Sequence, residues 1–462
     1  MTIIQQITGI DNAIEERFKS FFKRFKIKQL LRRVNAVKQK GVAAYSLFAF
    51  LLGLVFTQKN LYTLLSTNKE EMAFEKDAVY RFLSKPGVNW ESFIQHLGAE
   101  AVAEIDRLTS DERKSVLIID DTSYYRNRSK KVEMLSLCYD HVEHKYYKGF
   151  TMLTMGWSDG QTFLPVDYRM LASGKDSNLL VGSQVREDNR TLTTKRRIEA
   201  RTDKPTLVLN MLESVKGTAA QAGHVLFDSW FTSPSSILSI RSLGYHVVAR
   251  LKNNKNFLYL YQGQHLAISQ IHHINKKRRG RSRYLLSVDV QVRHKDFDET
   301  IPARIVYVRD RNNCKRWVAL ISTDLSLNED EIIALYGKRW DIEPYHKILK
   351  SYLNLTKEFQ LRSFDSIVAH AAIVLARYIF LAIENRENTD DRTLGELFFI
   401  MCDELDDISF AQAFALILST IEQCMSDYLY LSKSQIKTFV EQFISQLPHY
   451  IKCKLAFPLC ES

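Results

Sequence analysis

Cysteine is sparse and scattered. Six residues (Cys138, Cys314, Cys402, Cys424, Cys453 and Cys460) occur in 462, with no C-x-x-C pair and no Cys/His cluster. That pattern excludes a zinc finger or ribbon, whose ligands recur at short fixed spacings, and leaves reduced core or surface thiols. A long apolar run is missing too. The longest, SLFAFLLGLVF at 46–56, falls well short of the roughly 20 residues a helix needs to cross a bilayer. It reads as a buried core helix, and no membrane partner is expected. The opening MTIIQQITGIDNAIEERF carries acids where the apolar stretch of a signal peptide would lie, so a cytoplasmic location is the expectation. No internal repeat or low-complexity segment interrupts the chain.

Positive charge is what the chain has in excess. Its 64 Lys and Arg against 53 Asp and Glu leave a formal charge of +11, which favours a polyanionic partner and leaves nucleic acid and anionic membrane both open. Single cores stop growing at roughly 250–300 residues. A chain of 462 should therefore hold two or three units.

Residues 1–95 read as helical, with a basic amphipathic stretch at 18–40 (FKSFFKRFKIKQLLRRVNAVKQK) that suits DNA or a membrane surface. From about 114 the pattern turns to short β-rich runs: SVLIID, KGFTMLTMGWS, TFLPVDYRML, HVLFD and HVVARLK. Between the last two lies SPSSILSIRSLG, a Ser-capped helix closed by Gly. Strand, helix and strand in order make a βαβ unit, hence an α/β core. Residues 253–325 are strand-like again around the basic run Lys276, Lys277, Arg278, Arg279, Arg281 and Arg283. This reads as an antiparallel insertion with one long basic turn, suited to the phosphate backbone of DNA. Helix is expected over 329–351 and 364–385, and in a tail to the C-terminus.

Asp120 follows four apolar residues and Asp228 follows HVLF, so each is expected at the C-terminal end of a buried strand, where open α/β sheets place functional groups. Two such carboxylates can seat a hard cation such as Mg²⁺; each alone could equally start a turn. Downstream, Tyr336, Arg339, Glu343 and Lys350 fall at i, i+3, i+7 and i+14, one narrow stripe on a continuous helix. That stripe presents a carboxylate between two cations and a phenol, a face fit for metal and phosphate. Pro344 should kink the helix.

The spacing Y-x₂-R-x₃-E-x₆-K resembles the signature of the DDE transposases of the bacterial insertion sequence 4 family. IDDTS resembles the first-aspartate block, FDSWFTSPSSILSIRSLGYHVVARLK the second, and RWDIEPYHKILK extends the third. The segment DAVYRFLSKPGV is similar to one in hairpin-forming, cut-and-paste members, and the resemblance covers about 75–385. It implies an RNase H-like core in which Asp120, Asp228 and Glu343 are catalytic and hold two Mg²⁺ ions, with Mn²⁺ able to substitute. Asp121 competes with Asp120, since neighbours on a strand point to opposite faces. The resemblance further implies DNA contacts by Tyr336, Arg339, Lys350, His346 and Lys347, and a base-stacking role for Trp317. Double-stranded DNA, both inverted-repeat ends and target, would be the partner of a homodimer in a bacterial, nucleoid-associated location. The expected organisation is a helical DNA-binding region at 1–95, an RNase H-like domain at 96–385 interrupted by β-strands at about 253–325, and a helical region at 386–462 for dimerisation. An inactive DNA-binding derivative and a nuclease or resolvase of the same fold are the alternatives.

Overall fold

Among the described residues, five α-helices precede the first strand: α1 (Ala13–Arg24), α2 (Ile27–Arg33), α3 (Ala44–Leu54), α4 (Lys76–Leu83) and α5 (Trp90–Asp106). On α1 and just beyond it, Phe21, Phe22 and Phe25 are buried while Lys19 and Lys23 face solvent. The basic stretch therefore buries one apolar stripe, as its periodicity dictates. Helix α5 starts at Asn89, whose side chain accepts from the Ser92 amide at 3.0 Å, a cap that satisfies one of the free N–H groups. It closes on the sheet at Gly98, where a Cβ would stand 2.7 Å from the Pro165 carbonyl oxygen. This is a computed structural model, and it describes residues 13–58, 61–62, 74–109, 113–140, 143–185, 188–278, 282–310, 313, 316–387, 393–429, 431–448 and 451–452.

The sheet begins with β1 (Val116–Tyr125), β2 (Ser136–Asp140), β3 (Lys145–Ser158) and β4 (Phe163–Leu171). Strand β3 carries β1 antiparallel along one edge and β2 and β4 in tandem along the other. After α6 (Leu192–Glu199) and α7 (Lys204–Val215) come β5 (His224–Phe227), α8 (Pro234–Ser242) and β6 (His246–Arg250). Both β5 and β6 run parallel to β1. The RNase H-like α/β core that the resemblance implies agrees with this mixed sheet.

The β-rich segment that follows is β7 (Leu258–Tyr261), β8 (Gln264–Ala267), α9 (Ile268–Ile274), β9 (Tyr284–Val292), β10 (Ile301–Arg309) and β11 (Trp317–Ser322). It extends the main sheet, because β11 pairs antiparallel with β6, giving the order β2-β3-β1-β5-β6-β11-β10-β9-β7-β8. The basic run differs from the expected hairpin turn: Lys276–Arg278 leave α9 and Arg283 enters β9, while Arg279 and Arg281 lie outside the described residues.

Helices close the chain: α10 (Glu329–Gly337), α11 (Ile342–Ser351), α12 (Phe364–Glu387), α13 (Leu394–Leu429) and α14 (Lys433–Ser445). The continuous helix expected over 329–351 is interrupted by a 3₁₀ turn at Lys338–Asp341. Pro344 supplies the reason, since it has no N–H to donate to the Trp340 carbonyl; in the first turn of α11 that missing donor costs nothing. Helix α12 is long and apolar enough to cross a membrane, yet its apolar stretch is wholly buried inside the protein. Its buried Arg377 donates to the Leu52 carbonyl at 3.2 Å and to that of Leu51, closing the C-terminal end of α3, and pairs with Glu358 at 2.8 Å. One buried cluster reaches from Phe21 to Cys402 and includes Phe380 of α12, stacked 4.7 Å from Phe18. A smaller one joins Leu418 of α13 to Ile436 and Val440 of α14.

Candidate active site

Asp120 does not end its strand. Strand β1 runs on to Tyr125, because β3 still pairs with it after β5 has stopped at Phe227. The parallel register matches Val116–Ile118 with His224–Leu226. Carried two residues further, it sets Asp120 level with Asp228, the first residue beyond β5. Pairing in register puts the two side chains on one face of the sheet.

The adjacent acids separate as strand geometry demands. The Asp121 carboxylate accepts from the Lys204 ammonium of α7 at 2.6 Å. Asp120 instead stands 3.7 Å from the Arg339 guanidinium, which is also 3.8 Å from Glu343. Arg339 is buried, its Nε has no hydrogen-bond partner, and its guanidinium lies 4.3 Å over the exposed Trp340 ring. Glu343 is half-exposed in the first turn of α11, where the helix dipole favours an acid. Asp228 accepts from the Trp230 amide at 2.9 Å, which fixes the turn before α8.

Charge is concentrated here. Burial first, then the neighbouring Asp121 and Asp228 charges, push Asp120 up to about 7 against the pull of Arg339. Burial raises the Tyr336 hydroxyl, whose surroundings include Arg339, Arg250 and Asp228. Burial also lowers the Lys350 ammonium, opposed by the charges of Asp140, Glu343, Asp120 and Asp121. So Asp120, Asp228, Tyr336, Arg339, Glu343 and Lys350, drawn from β1, the end of β5, α10, the 3₁₀ turn and α11, gather at one place.

The other three residues singled out from sequence stand differently. Trp317 is half-buried, stacked 4.8 Å from His272 and edge-on to Tyr307. His346 is 8% exposed with neither ring nitrogen hydrogen-bonded, and burial, aided by Lys350, pushes it down to about 3. Lys347 is exposed, on the side of α11 that lines a cavity with Asp341 and Gly395. Sequence reasoning passed over Trp230. This indole is 53% exposed, two residues after Asp228, with the ammonium groups of Lys204 and Lys252 each 5.5 Å from its ring. The signal was an aromatic beside an acid in FDSWF.

Among the described residues, no three His, Cys, Asp or Glu side chains stand close enough to share a metal ion. The donor chemistry of Asp120, Asp228 and Glu343 nonetheless fits a hard divalent cation, which takes oxygen ligands. The surplus negative charge that lifts Asp120 is what such a cation would relieve. Arg339 now stands against two of the three acids, so it and a cation would compete for the same charge.

Acids at two adjacent central strands of a mixed α/β sheet, with a third on a neighbouring helix, make a carboxylate site on an α/β core. The model of the DDE superfamily endonucleases matches residues 43–312, more than half of the chain, and the protein belongs to that family. The matched range takes in Asp120 and Asp228 and ends before Glu343. No curated protein matches the chain.

Proposed function

We propose that this chain is a transposase of the bacterial insertion sequence 4 family, which binds the inverted-repeat ends of its element, cleaves the DNA and joins it to target DNA. One observation carries the reading: Arg339, 3.7 Å from Asp120 and 3.8 Å from Glu343, draws together acids 223 positions apart (343 − 120), beside an Asp228 whose charge reaches Asp120. Neighbouring carboxylates repel one another, and a fold that gathers them has a use for the charge.

Asp120, Asp228 and Glu343 would hold two Mg²⁺ ions, with Mn²⁺ able to replace them; bound there, such ions activate a water or 3′-hydroxyl and steady the departing oxygen of an in-line displacement. Arg339 would turn its planar fork from the acids to the phosphate flanking the scissile bond, where two parallel hydrogen bonds are available. Tyr336 would donate its hydroxyl to a phosphate oxygen, and Lys350 would add a second cation on the same side. Lys347 would meet the backbone from solvent. His346, held neutral by burial, would position α11 and make no charged DNA contact. A base-stacking role for Trp317 requires His272 to leave its face. The protein would act as a homodimer on two DNA ends, with α13 and α14 as the dimerising region.

Incubating the protein and Mg²⁺ with duplexes copied from the DNA flanking its gene tests the reading. Both cut ends and strands joined to a second duplex are expected. Binding without cutting would make it an inactive DNA-binding derivative, and cutting that never leads to joining would make it a nuclease or resolvase.

A further inference from the structure

Six basic side chains from two distant segments meet beyond the far end of β1. Arg126, Arg128, Lys130 and Lys131 come from the loop after β1, and Lys357 and Arg362 from the loop between α11 and α12; together they line a cleft of about 730 Å³ whose lining includes no acidic side chain. Several arginines elsewhere find carboxylates, as Arg24 does with Glu104, Arg196 with Glu91 and Arg386 with Asp159. Here Arg128, Lys130, Lys131, Lys357 and Arg362 are not buried, and among the described residues none of them makes an ion pair.

Like charges held this close repel, so the loops must be tied. Arg126 points inward and donates to the Thr356 and Phe359 carbonyls at 3.1 and 3.2 Å and to the Tyr124 hydroxyl at 2.8 Å. Its Nε is buried without a partner. The Glu133 amide donates to the Arg362 carbonyl at 2.8 Å, while the Glu133 carboxylate accepts from Arg197, from the Phe364 amide and from the Gln184 amide. A buried network thus fixes both loops and leaves their cations outward, an arrangement that stability alone does not call for.

The cleft and the acidic centre are linked through two shared elements, β1 and α11. Asp120 and Tyr125 are five residues apart on β1, roughly 17 Å at about 3.3–3.4 Å per residue. Helix α11, which carries Glu343 and Lys350, runs out into the loop that supplies Thr356 and Lys357. Duplex DNA rises about 3.4 Å per base pair along its axis, so a separation of about 17 Å lies well within one helical turn of a bound duplex.

We infer that this cleft is a second binding station for the phosphodiester backbone of duplex DNA, gripping phosphates within one helical turn of the one that reacts. The inference rests on the catalytic reading above for which phosphate reacts, and on the cleft's own charge for the grip. Lysine and arginine on backbone phosphates read no sequence, so this station adds affinity and register to whatever the ends specify.

The test uses the full chain carrying Glu343→Gln, without divalent metal, and a mixed-sequence duplex, with affinity measured across a range of KCl. Each neutralised phosphate adds about 0.9 to the slope of log K against log salt. Replacing Arg128, Lys130, Lys131, Lys357 and Arg362 together with alanine is expected to reduce that slope by about 4 to 5. The paired variants Lys130→Ala/Lys131→Ala and Lys357→Ala/Arg362→Ala should each reduce it by about 2, which keeps the test decisive if the fivefold variant does not fold. An unchanged slope overturns the cleft and leaves the catalytic reading standing; a parent chain with no affinity for any duplex overturns both. On cleaved element ends, hydroxyl-radical protection within one helical turn of the cut should be reduced in the variants, and a protection pattern identical to the parent's overturns the placement.

Discussion

Two adjacent acids with opposite partners give the residue scale its sharpest test. Asp120 shares Arg339 with Glu343, whereas Asp121 is held by Lys204 at 2.6 Å. Asp120→Asn should lower cleavage by more than the roughly 10–100-fold that the loss of an outer-shell partner costs at a metal site, with DNA affinity retained. Asp121→Asn should retain most cleavage; a gel assay that reverses the two would move the role to Asp121. Trp230 supports a second expectation. Its exposed ring, framed by Lys204 and Lys252, offers a stacking surface worth about 1–3 kcal/mol per base. Trp230→Ala should weaken binding of a duplex with a frayed end and Trp230→Phe should largely restore it, whereas equal affinity in all three proteins would remove the stacking role. Glu343, Arg339 and Lys350 were legible in the sequence because their spacing repeats a helical period. The choice between Asp120 and Asp121 was not, because it depends on which face of β1 looks toward α11 and which toward α7, and no local pattern encodes that.

Elements reveal what periodicity hides. A continuous helix from Tyr336 to Lys350 was a fair reading of the spacing, but Pro344 breaks the ladder and the 3₁₀ turn at Lys338–Asp341 tightens the path. Arg339 still reaches Glu343, since a residue four ahead remains a neighbour. The strand boundary of β1 was invisible for a related reason: DDTSYY looks like a turn until Thr154 to Gly149 of β3 pair with it. Sheet continuity from β6 to β11 was likewise a long-range fact. At this scale the buried chain of Glu91, Arg196, Asp365, Arg197 and Glu133 joins α5, α6, α12 and the loop after β1. Removing one partner of a buried pair leaves its mate uncompensated, a loss of about 3–5 kcal/mol. Glu133→Ala, only 1% exposed in the parent, should therefore shift the urea midpoint well down, and an unshifted midpoint would show that the network is solvated.

The whole molecule combines the composition, legible from the start, with a topology that was not. An excess of basic residues foretold a polyanion, yet the cleft at Arg126–Lys131 and Lys357–Arg362 appears only when segments more than two hundred positions apart fold together. Acid stability is also a global property. Burial opposes it, but Arg196, Arg197 and Arg377 with His370 hold Glu91, Glu133 and Glu358 respectively below the usual carboxylate range. A group depressed in the folded state stabilises it above the unfolded value, about 4.3, and that contribution is lost as pH falls through the folded value. The urea midpoint should thus fall as the pH drops below about 4.5, less steeply in Glu358→Gln. A midpoint that rises on acidification would mean that raised acids such as Asp167 and Asp120 dominate. The central claim is that Asp120, Asp228 and Glu343 form one Mg²⁺-dependent centre for cutting DNA. Its most direct test is strand cleavage of an element end in Mg²⁺ by the parent protein and by Asp120→Ala, Asp228→Ala and Glu343→Ala, with DNA binding measured alongside. The account predicts that the parent cuts while all three variants bind without cutting, and a variant that cuts at the parental rate would contradict it.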